Sequence, residues 1–171
     1  VRKVSDQIKN EKNELSQRRE NDLKKRFIWE MQMYLLENEL VALSKMRVIY
    51  MHMNFEIHLK KLISIAYNVT ENNLYNWEKV ISFFKSKNIE IKKLDYYSDV
   101  KNIIELNNSI KHSENLINNR TENIIEFKGR KSANIRTLNE FYERTKDSPK
   151  ELIRELAKEI DKDLYEFSET R

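Results

Sequence analysis

The sequence contains no cysteine and only one glycine and one proline, Gly129 and Pro149. Without cysteine there is no disulfide framework, no thiolate nucleophile and no cysteine-based metal site. Dinucleotide turns and phosphate-binding loops need several glycines, so folds built on them are excluded. Sandwiches and barrels are disfavoured too, because their turns use residues that tolerate positive φ. We therefore expect an all-α fold.

Long apolar runs are also missing. No stretch approaches the roughly 18 to 20 uncharged apolar residues that cross a bilayer, and residues 1–6 lack the apolar core of a signal peptide. The chain has 171 residues, of which 35% are charged, and its formal net charge is +4. This composition predicts one soluble domain, cytoplasmic and without a membrane partner. The mild basic excess helps association with polyanions but identifies none.

The chain divides by pattern into a charged N-terminal helix or arm, residues 1–26, and a helical bundle, residues 27–171. We expect an up-and-down bundle of about five helices with one long helix, from Phe27 to Tyr67. Apolar residues recur along that helix at three or four residues, the period of a helical stripe: Leu36, Leu40, Leu43, Met46, Tyr50, Met53 and Ile57. A second apolar line continues it, formed by Phe55, Leu59, Leu62 and Ala66.

Shorter helices are predicted over residues 74–87, 99–113 and 132–144, joined by a connector at 89–94 and an exposed loop at 114–131. Ser98 is expected to cap the helix that follows it. The last helix has the sharpest start signal, because Ser148 and Glu151 form a capping-box pattern around Pro149. Its apolar stripe is Leu152, Leu156, Ile160, Leu164 and Phe167.

Two of the three histidines lie on the long helix. His52 and Glu56 are one turn apart, but two ligands without a third do not make a metal site. We interpret this pair as the polar edge of a packed helix, and we assign no catalytic role to His52 or His58.

The third histidine, His112, ends a segment rich in amides. Glu105, Asn108 and His112 are spaced three and four residues apart, so they form one polar column on a helix. Asn107 falls on the stripe that should be apolar, where an unpaired amide costs about 1 to 3 kcal/mol. Asn107 therefore either bonds across a helix interface or faces an opening in the core. On the simplest interpretation the two asparagines tie helices together and His112 is a cation at a helix end.

The segment Asn107-Asn108-Ser109-Ile110-Lys111-His112, near the end of a late helix, resembles the motif of the HEPN superfamily of small helical bundles. That motif consists of an Arg, a polar residue, several further residues and a His. When the sequence is aligned with the motif at the histidine, His112 occupies the histidine position, Asn108 the polar position and Asn107 the arginine position. The order of helices supports the resemblance from about Glu37 to Phe167.

The resemblance implies a role in microbial toxin–antitoxin or antiviral defence, homodimers, and metal-independent RNA cleavage with no cofactor. It makes His112, Asn108 and Asn107 the candidate catalytic residues. A neutral amide in the Arg place supplies no charge to the phosphate, so weak or no cleavage is expected. Residues proposed to bind RNA or to supply the missing cation are Lys111, Lys128, Arg130 and Lys131, with Arg120 and Arg136 as further loop cations.

Three functional interpretations stay open from the sequence. The first is a HEPN-like module that dimerises or binds a partner, such as a cognate antitoxin, with weak or no catalysis. The second is a HEPN-type endoribonuclease that uses His112 as general acid or base. The third is a helical scaffold unrelated to HEPN, in which the long helix pairs with another copy or another protein through exposed aromatic residues: Trp29, Tyr34, Tyr96 and Tyr97.

Overall fold

The structure, a computed structural model, describes the backbone at residues 2–70, 74, 76–113 and 115–169, and the side chains at 11–70, 74, 76–113 and 115–165. The described residues form helices, turns and connecting segments and contain no strand, which confirms the all-α class. The chain divides into two compact units, Val1–Ala42 and Leu43–Arg171. The division predicted after residue 26 stays a prediction.

The first helix, α1 (Arg2–Tyr67), contains the whole segment predicted as one long helix and extends through the charged residues before it. In the first unit, every side chain described at residues 11–40 is exposed, the apolar ones included. In the second unit, α1 buries one line of side chains: Val48, Met51, Phe55, Leu59 and Ile63. No helix is both long and apolar enough to cross a lipid bilayer over the described part of the chain.

The apolar stripe recognised first in the sequence is not the side of α1 that packs. All its members are exposed to between 46% and 62%: Leu36, Leu40, Leu43, Met46, Tyr50, Met53 and Ile57. Of the second line, Phe55 and Leu59 are buried. The helical period reveals apolar faces, but α1 carries two of them, and only contacts with other helices decide which is covered.

The core of the second unit is formed by residues of α1, α2 (Trp77–Ser86), α3 (Tyr97–His112) and α5 (Ser148–Glu169). Phe84 and Val100 are fully or nearly fully enclosed in it. Leu152, Leu156 and Ile160 of the predicted last stripe are buried, whereas Leu164 is 41% exposed. The side chain of Phe167 lies outside the described residues.

The connector after α2 contains a short 3₁₀ turn, Ile91–Lys93, rather than a strand. The chain enters α3 through Tyr96, which has a left-handed backbone with φ of 62°. The predicted cap at Ser98 is wrong, because α3 already begins at Tyr97 and no side chain caps it. The backbone N–H of Val100 instead donates to the carbonyl of Tyr96, with N···O 3.0 Å.

The segment predicted as an exposed loop is packed at several points. Leu116, Ile124 and Phe127 are buried, and Thr121 is fully enclosed. Its hydroxyl donates to the carbonyl of Leu116, with O···O 2.5 Å. The loop then leads into α4 (Ile135–Thr145), whose first turn is closed by reciprocal hydrogen bonds between Asn134 and Thr137.

The start of α5 differs from the predicted capping box. The helix begins at Ser148 itself, and the N–H groups of Lys150 and Glu151 both donate to the carbonyl of Asp147. The Ser148 hydroxyl donates to Asp99 Oδ2 of α3 at 2.9 Å, so the serine links two helices instead of capping one.

Arg144 joins the end of α4 to the loop and to α3. Its Nε and Nη2 donate to the two carboxylate oxygens of Glu126 at 2.5 and 3.0 Å. Its Nη1 donates to Asp99, which also accepts the Ser148 hydroxyl. The Glu126 side chain is only 8% exposed, so this pairing satisfies a largely buried carboxylate.

We predict that Arg144→Met lowers the free energy of unfolding by about 1 to 3 kcal/mol, because it leaves the buried Glu126 carboxylate without its cation. Urea unfolding followed by circular dichroism measures this change. The matched control is Arg136→Met on the same helix, which removes an exposed pair with Glu140 at 2.8 Å. Its cost is expected to be much smaller, because the pair is exposed to solvent. Equal effects of the two substitutions would contradict the assigned role of Arg144.

Candidate functional site

A cavity of about 260 Å³ lies between α1, the start of α2 and the C-terminal half of α3. We call it the α1–α3 cavity. Its deeper walls are apolar, and polar side chains collect on its α1 and α3 sides. The lining residues are His52, Phe55, Glu56, Leu59, Lys60, Leu74, Asn76, Trp77, Val80, Ile104, Asn107, Asn108, Lys111 and His112.

Asn107 is the most deeply buried polar residue of this cavity, with 1% of its surface exposed. Its side-chain oxygen has no hydrogen-bond partner among the described residues. The sequence allowed Asn107 either to bond across a helix interface or to face an opening in the core. In the structure its amide lies beside an opening. The indole Nε1 of Trp77, another lining residue, is also buried without a partner in the described part of the chain.

The α1 side of the cavity carries a column of three polar residues at four-residue intervals: His52, Glu56 and Lys60. The ammonium of Lys60 lies 2.6 Å from Glu56 Oε1, and His52 Nδ1 lies 3.9 Å from Glu56 Oε2. Burial lowers the pKa of His52, and the positive charges of Lys111 and Lys60 lower it further, while Glu56 opposes the shift. These effects together favour the neutral form of the His52 imidazole.

The α3 side supplies the end of the predicted motif. Asn108 is half-buried, and Lys111 and His112 are exposed in the last turn of the helix. Helical geometry separates the directions of Lys111 and His112 by about 100°, yet both line this cavity. Lys111 is close enough to His52 to affect its pKa, so it delivers positive charge to the cavity.

The structure thus brings together four of the predicted site residues, Asn107, Asn108, Lys111 and His112. The loop residues Lys128, Arg130 and Lys131 are exposed in the turns before α4 and are not among the described residues that line the cavity. The RNA-binding and catalytic assignments of all these residues stay predictions.

The interpretation of His52 and Glu56 as the polar edge of a packed helix stays a prediction, and the sequence did not single out Lys60 and Trp77, which line the same cavity. The signal for the α1 side was present, since residues 52, 56 and 60 are each one turn apart. The sequence does not specify the rotation of α1 about its axis. This rotation turns the column of His52, Glu56 and Lys60 toward α3. Among the described residues, no three His, Asp or Glu side chains are grouped so that they could hold a metal ion.

The arrangement combines a neutral imidazole, a second imidazole at the rim, a buried amide, the ammonium of Lys111 and the ion pair of Lys60 with Glu56. Imidazoles can move protons, and Lys111 can stabilise negative charge on a bound group. The buried amide can offer a hydrogen bond in a place that bulk water reaches poorly. This chemistry suits a small anionic group at the cavity mouth, and it is weaker than that of a site with an arginine in place of Asn107.

Comparison with known proteins identifies no relative. Neither a known family model, nor a curated protein, nor a solved structure matches this chain. Functional assignment therefore depends on the residues themselves.

We predict that Asn107→Leu leaves the fold intact and raises the free energy of unfolding by about 1 kcal/mol, because it replaces a buried amide whose oxygen has no partner among the described residues by an apolar group of similar size. Denaturant unfolding measures this.

The matched control on the same helix is Ser109→Ala, since Ser109 is also buried but fully bonded. Its hydroxyl donates to the Leu116 carbonyl at 3.0 Å and accepts from Asn118 Nδ2 at 2.6 Å. That variant is expected to lose about 1 to 3 kcal/mol. A loss of stability in Asn107→Leu as large as in Ser109→Ala would show that the amide has a structural partner.

Proposed function

We propose that this chain is a HEPN-like helical module that pairs with a second copy of itself through the outer face of α1, with weak or no catalysis, as part of a microbial toxin–antitoxin or antiviral system. The observation that carries the self-association is a line of exposed apolar side chains at intervals of seven residues. Its members, which we call the heptad line, are Trp29, Leu36, Leu43, Tyr50 and Ile57, and each is exposed to between 52% and 62%.

A seven-residue apolar repeat is the pattern by which two helices pair along a common seam. In the first unit, Met33 and Leu40 supply the intermediate positions of the repeat, four residues after Trp29 and Leu36. In the second unit, Met46 and Met53 flank the line and are also exposed. A second copy is the simplest occupant, because two identical seams are complementary to each other in a two-fold arrangement.

The amount of exposed apolar surface supports a stable interface rather than incidental exposure. Fourteen large apolar side chains of α1 between Phe27 and Ile57 are exposed. At roughly 100 Å² for each half-exposed side chain, the four members and intermediate positions of the heptad line in the first unit present about 400 Å², and the five in the second unit, Met46 and Met53 included, present about 500 Å². An interface of standard size needs about 800 Å² from each partner, and the largest apolar patch of a typical monomer is about 300 to 600 Å².

Weak catalysis follows from the α1–α3 cavity under the HEPN motif alignment. The position of the motif arginine holds Asn107, whose neutral amide cannot neutralise a pentacoordinate phosphate. Lys111 supplies a charge at the cavity mouth, but an ammonium lacks the two-pronged phosphate contact of a guanidinium.

We predict that the wild-type protein is a dimer and that the variant Leu43→Gln/Ile57→Gln dissociates at least about tenfold more readily, because each substitution removes apolar surface from both copies. Sedimentation equilibrium measures the dissociation constants. The matched control is Leu164→Gln/Ile125→Gln, at residues that are 41% and 72% exposed outside α1. A wild-type monomer at tens of micromolar, or equal weakening by the control, would refute the proposed pairing.

A second candidate function, a HEPN-type endoribonuclease, is favoured by one specific observation: the α1–α3 cavity is lined by His112 together with Lys111 and the neutral His52. In this alternative His112 and His52 move protons while Lys111 holds the phosphate.

Incubation with tRNA and total RNA separates the two functions. On the primary proposal we expect little or no cleavage by wild-type protein, and no difference between it and His112→Ala, because charge stabilisation of the phosphate is missing. The control is His58→Ala, an exposed histidine of α1 that does not line the cavity. Cleavage abolished by His112→Ala but kept by His58→Ala would favour the nuclease and count against the primary proposal.

A further inference from the structure

A larger recess, which we call the α4–α5 groove, borders the heptad line of α1 in the second unit, and Tyr50 belongs to both. It has a volume of about 520 Å³ and is formed by α1, the end of α4 and the first turns of α5. The HEPN motif does not require it. Its volume falls within the roughly 300 to 1,000 Å³ typical of small-molecule sites.

Apolar and aromatic side chains form most of the groove wall, from Met51 and Phe55 on α1 to Tyr142 on α4 and Ile153 on α5. Phe55 and Met51 are buried, which gives the groove a fixed apolar floor. Such walls favour the apolar body of a ligand over a bare inorganic ion, which would lose its hydration without compensation.

Every ionised side chain of the groove lining is positive. Four cations line it, namely Arg47, Lys146, Lys150 and Arg154, and no carboxylate does. Three neighbouring carboxylates partly compensate them. Glu143 lies 3.5 Å from Arg47 and 2.6 Å from Lys146, and Glu151 lies 2.6 Å from Arg154. Besides Glu143, Asp147 acts electrostatically on Lys146 and raises its pKa. One positive charge remains in excess.

The cations differ in how firmly they are held. The Arg47 guanidinium stacks over the Tyr142 ring at 3.6 Å and donates to Asn139 Oδ1 at 3.2 Å, so it is positioned in advance. The ammonium of Lys150 has no carboxylate partner among the described residues. The pairs that involve Glu143 and Glu151 are largely exposed, and such pairs contribute little enough that a bound anion can compete with them.

From the apolar floor and the excess positive charge we infer that the α4–α5 groove binds a small organic anion with an aromatic or aliphatic body and one carboxylate, sulfonate or phosphate group. The body packs between Phe55 and Ile153, and the anionic group contacts Lys150 and Arg154 at the start of α5. An acidic peptide segment is the competing occupant, but a recess of this volume suits a compact ligand better than a continuous helix.

The probe for this site is 8-anilinonaphthalene-1-sulfonate, which has an aromatic body and one negative charge. Its uncharged counterpart is N-phenyl-1-naphthylamine, which lacks the sulfonate. We expect the charged probe to bind about tenfold more tightly than the neutral one, measured by fluorescence titration, because the groove adds charge-assisted contacts to apolar burial.

The variant Lys150→Gln/Arg154→Gln is expected to lose that preference, with affinity for the charged probe falling about tenfold, whereas Lys150→Arg/Arg154→Lys retains it. The matched control is Lys158→Gln, an exposed lysine of α5 outside the groove, and it should change the affinity less than about twofold.

Three outcomes would overturn the inference. One is equal affinity for the charged and neutral probes. Another is that the charged probe still binds to the Lys150→Gln/Arg154→Gln variant but not to the Leu43→Gln/Ile57→Gln variant. This result would place the probe on the outer face of α1. The third is displacement of the probe by an acidic peptide but not by aromatic carboxylates, which would assign the groove to a protein segment.

Discussion

The rotation of α1 about its own axis is the constraint on which the rest of the second unit depends. Phe55, Leu59 and Ile63 are buried against α2, α3 and α5, and this single line of contacts fixes which way the other side chains of α1 point in the second unit. With these residues inward, Tyr50 and Ile57 must face outward. Both the proposed pairing surface and the polar wall of the α1–α3 cavity follow from that orientation.

Asn107 illustrates how the same packing creates a site. An amide on the core-facing side of α3 is costly wherever it lacks a partner, and the described residues give its oxygen none. The neighbouring positions Ile103 and Ile104 are buried and apolar, so a leucine would fit the pattern of the helix. A polar residue at such a position, beside two histidines and two lysines, is typical of a functional site, where the needs of binding or catalysis compete with the stability of the fold.

Much of the fold could be predicted from composition and period. The scarcity of glycine and proline indicates helices, and the ends of α1 and α3 lie within one residue of the predicted Tyr67 and Ser113. The first residues of the helices were harder to predict, because Tyr96 adopts a left-handed backbone and the Ser148 hydroxyl donates to Asp99 on another helix. Such tertiary partners leave no mark on the local pattern. The candidate residues around His112 are close together in the sequence, so they could be singled out. The position of His52 and Glu56 opposite them depends on tertiary contacts and could not be predicted.

Phe55 has a position that connects the separate parts of this molecule. Its ring is buried, and it belongs to the walls of both the α1–α3 cavity and the α4–α5 groove. The two recesses therefore share this ring as part of their walls. Because a packed interior has little spare volume, a change in the rotamer of Phe55 would alter the shape of both recesses at once.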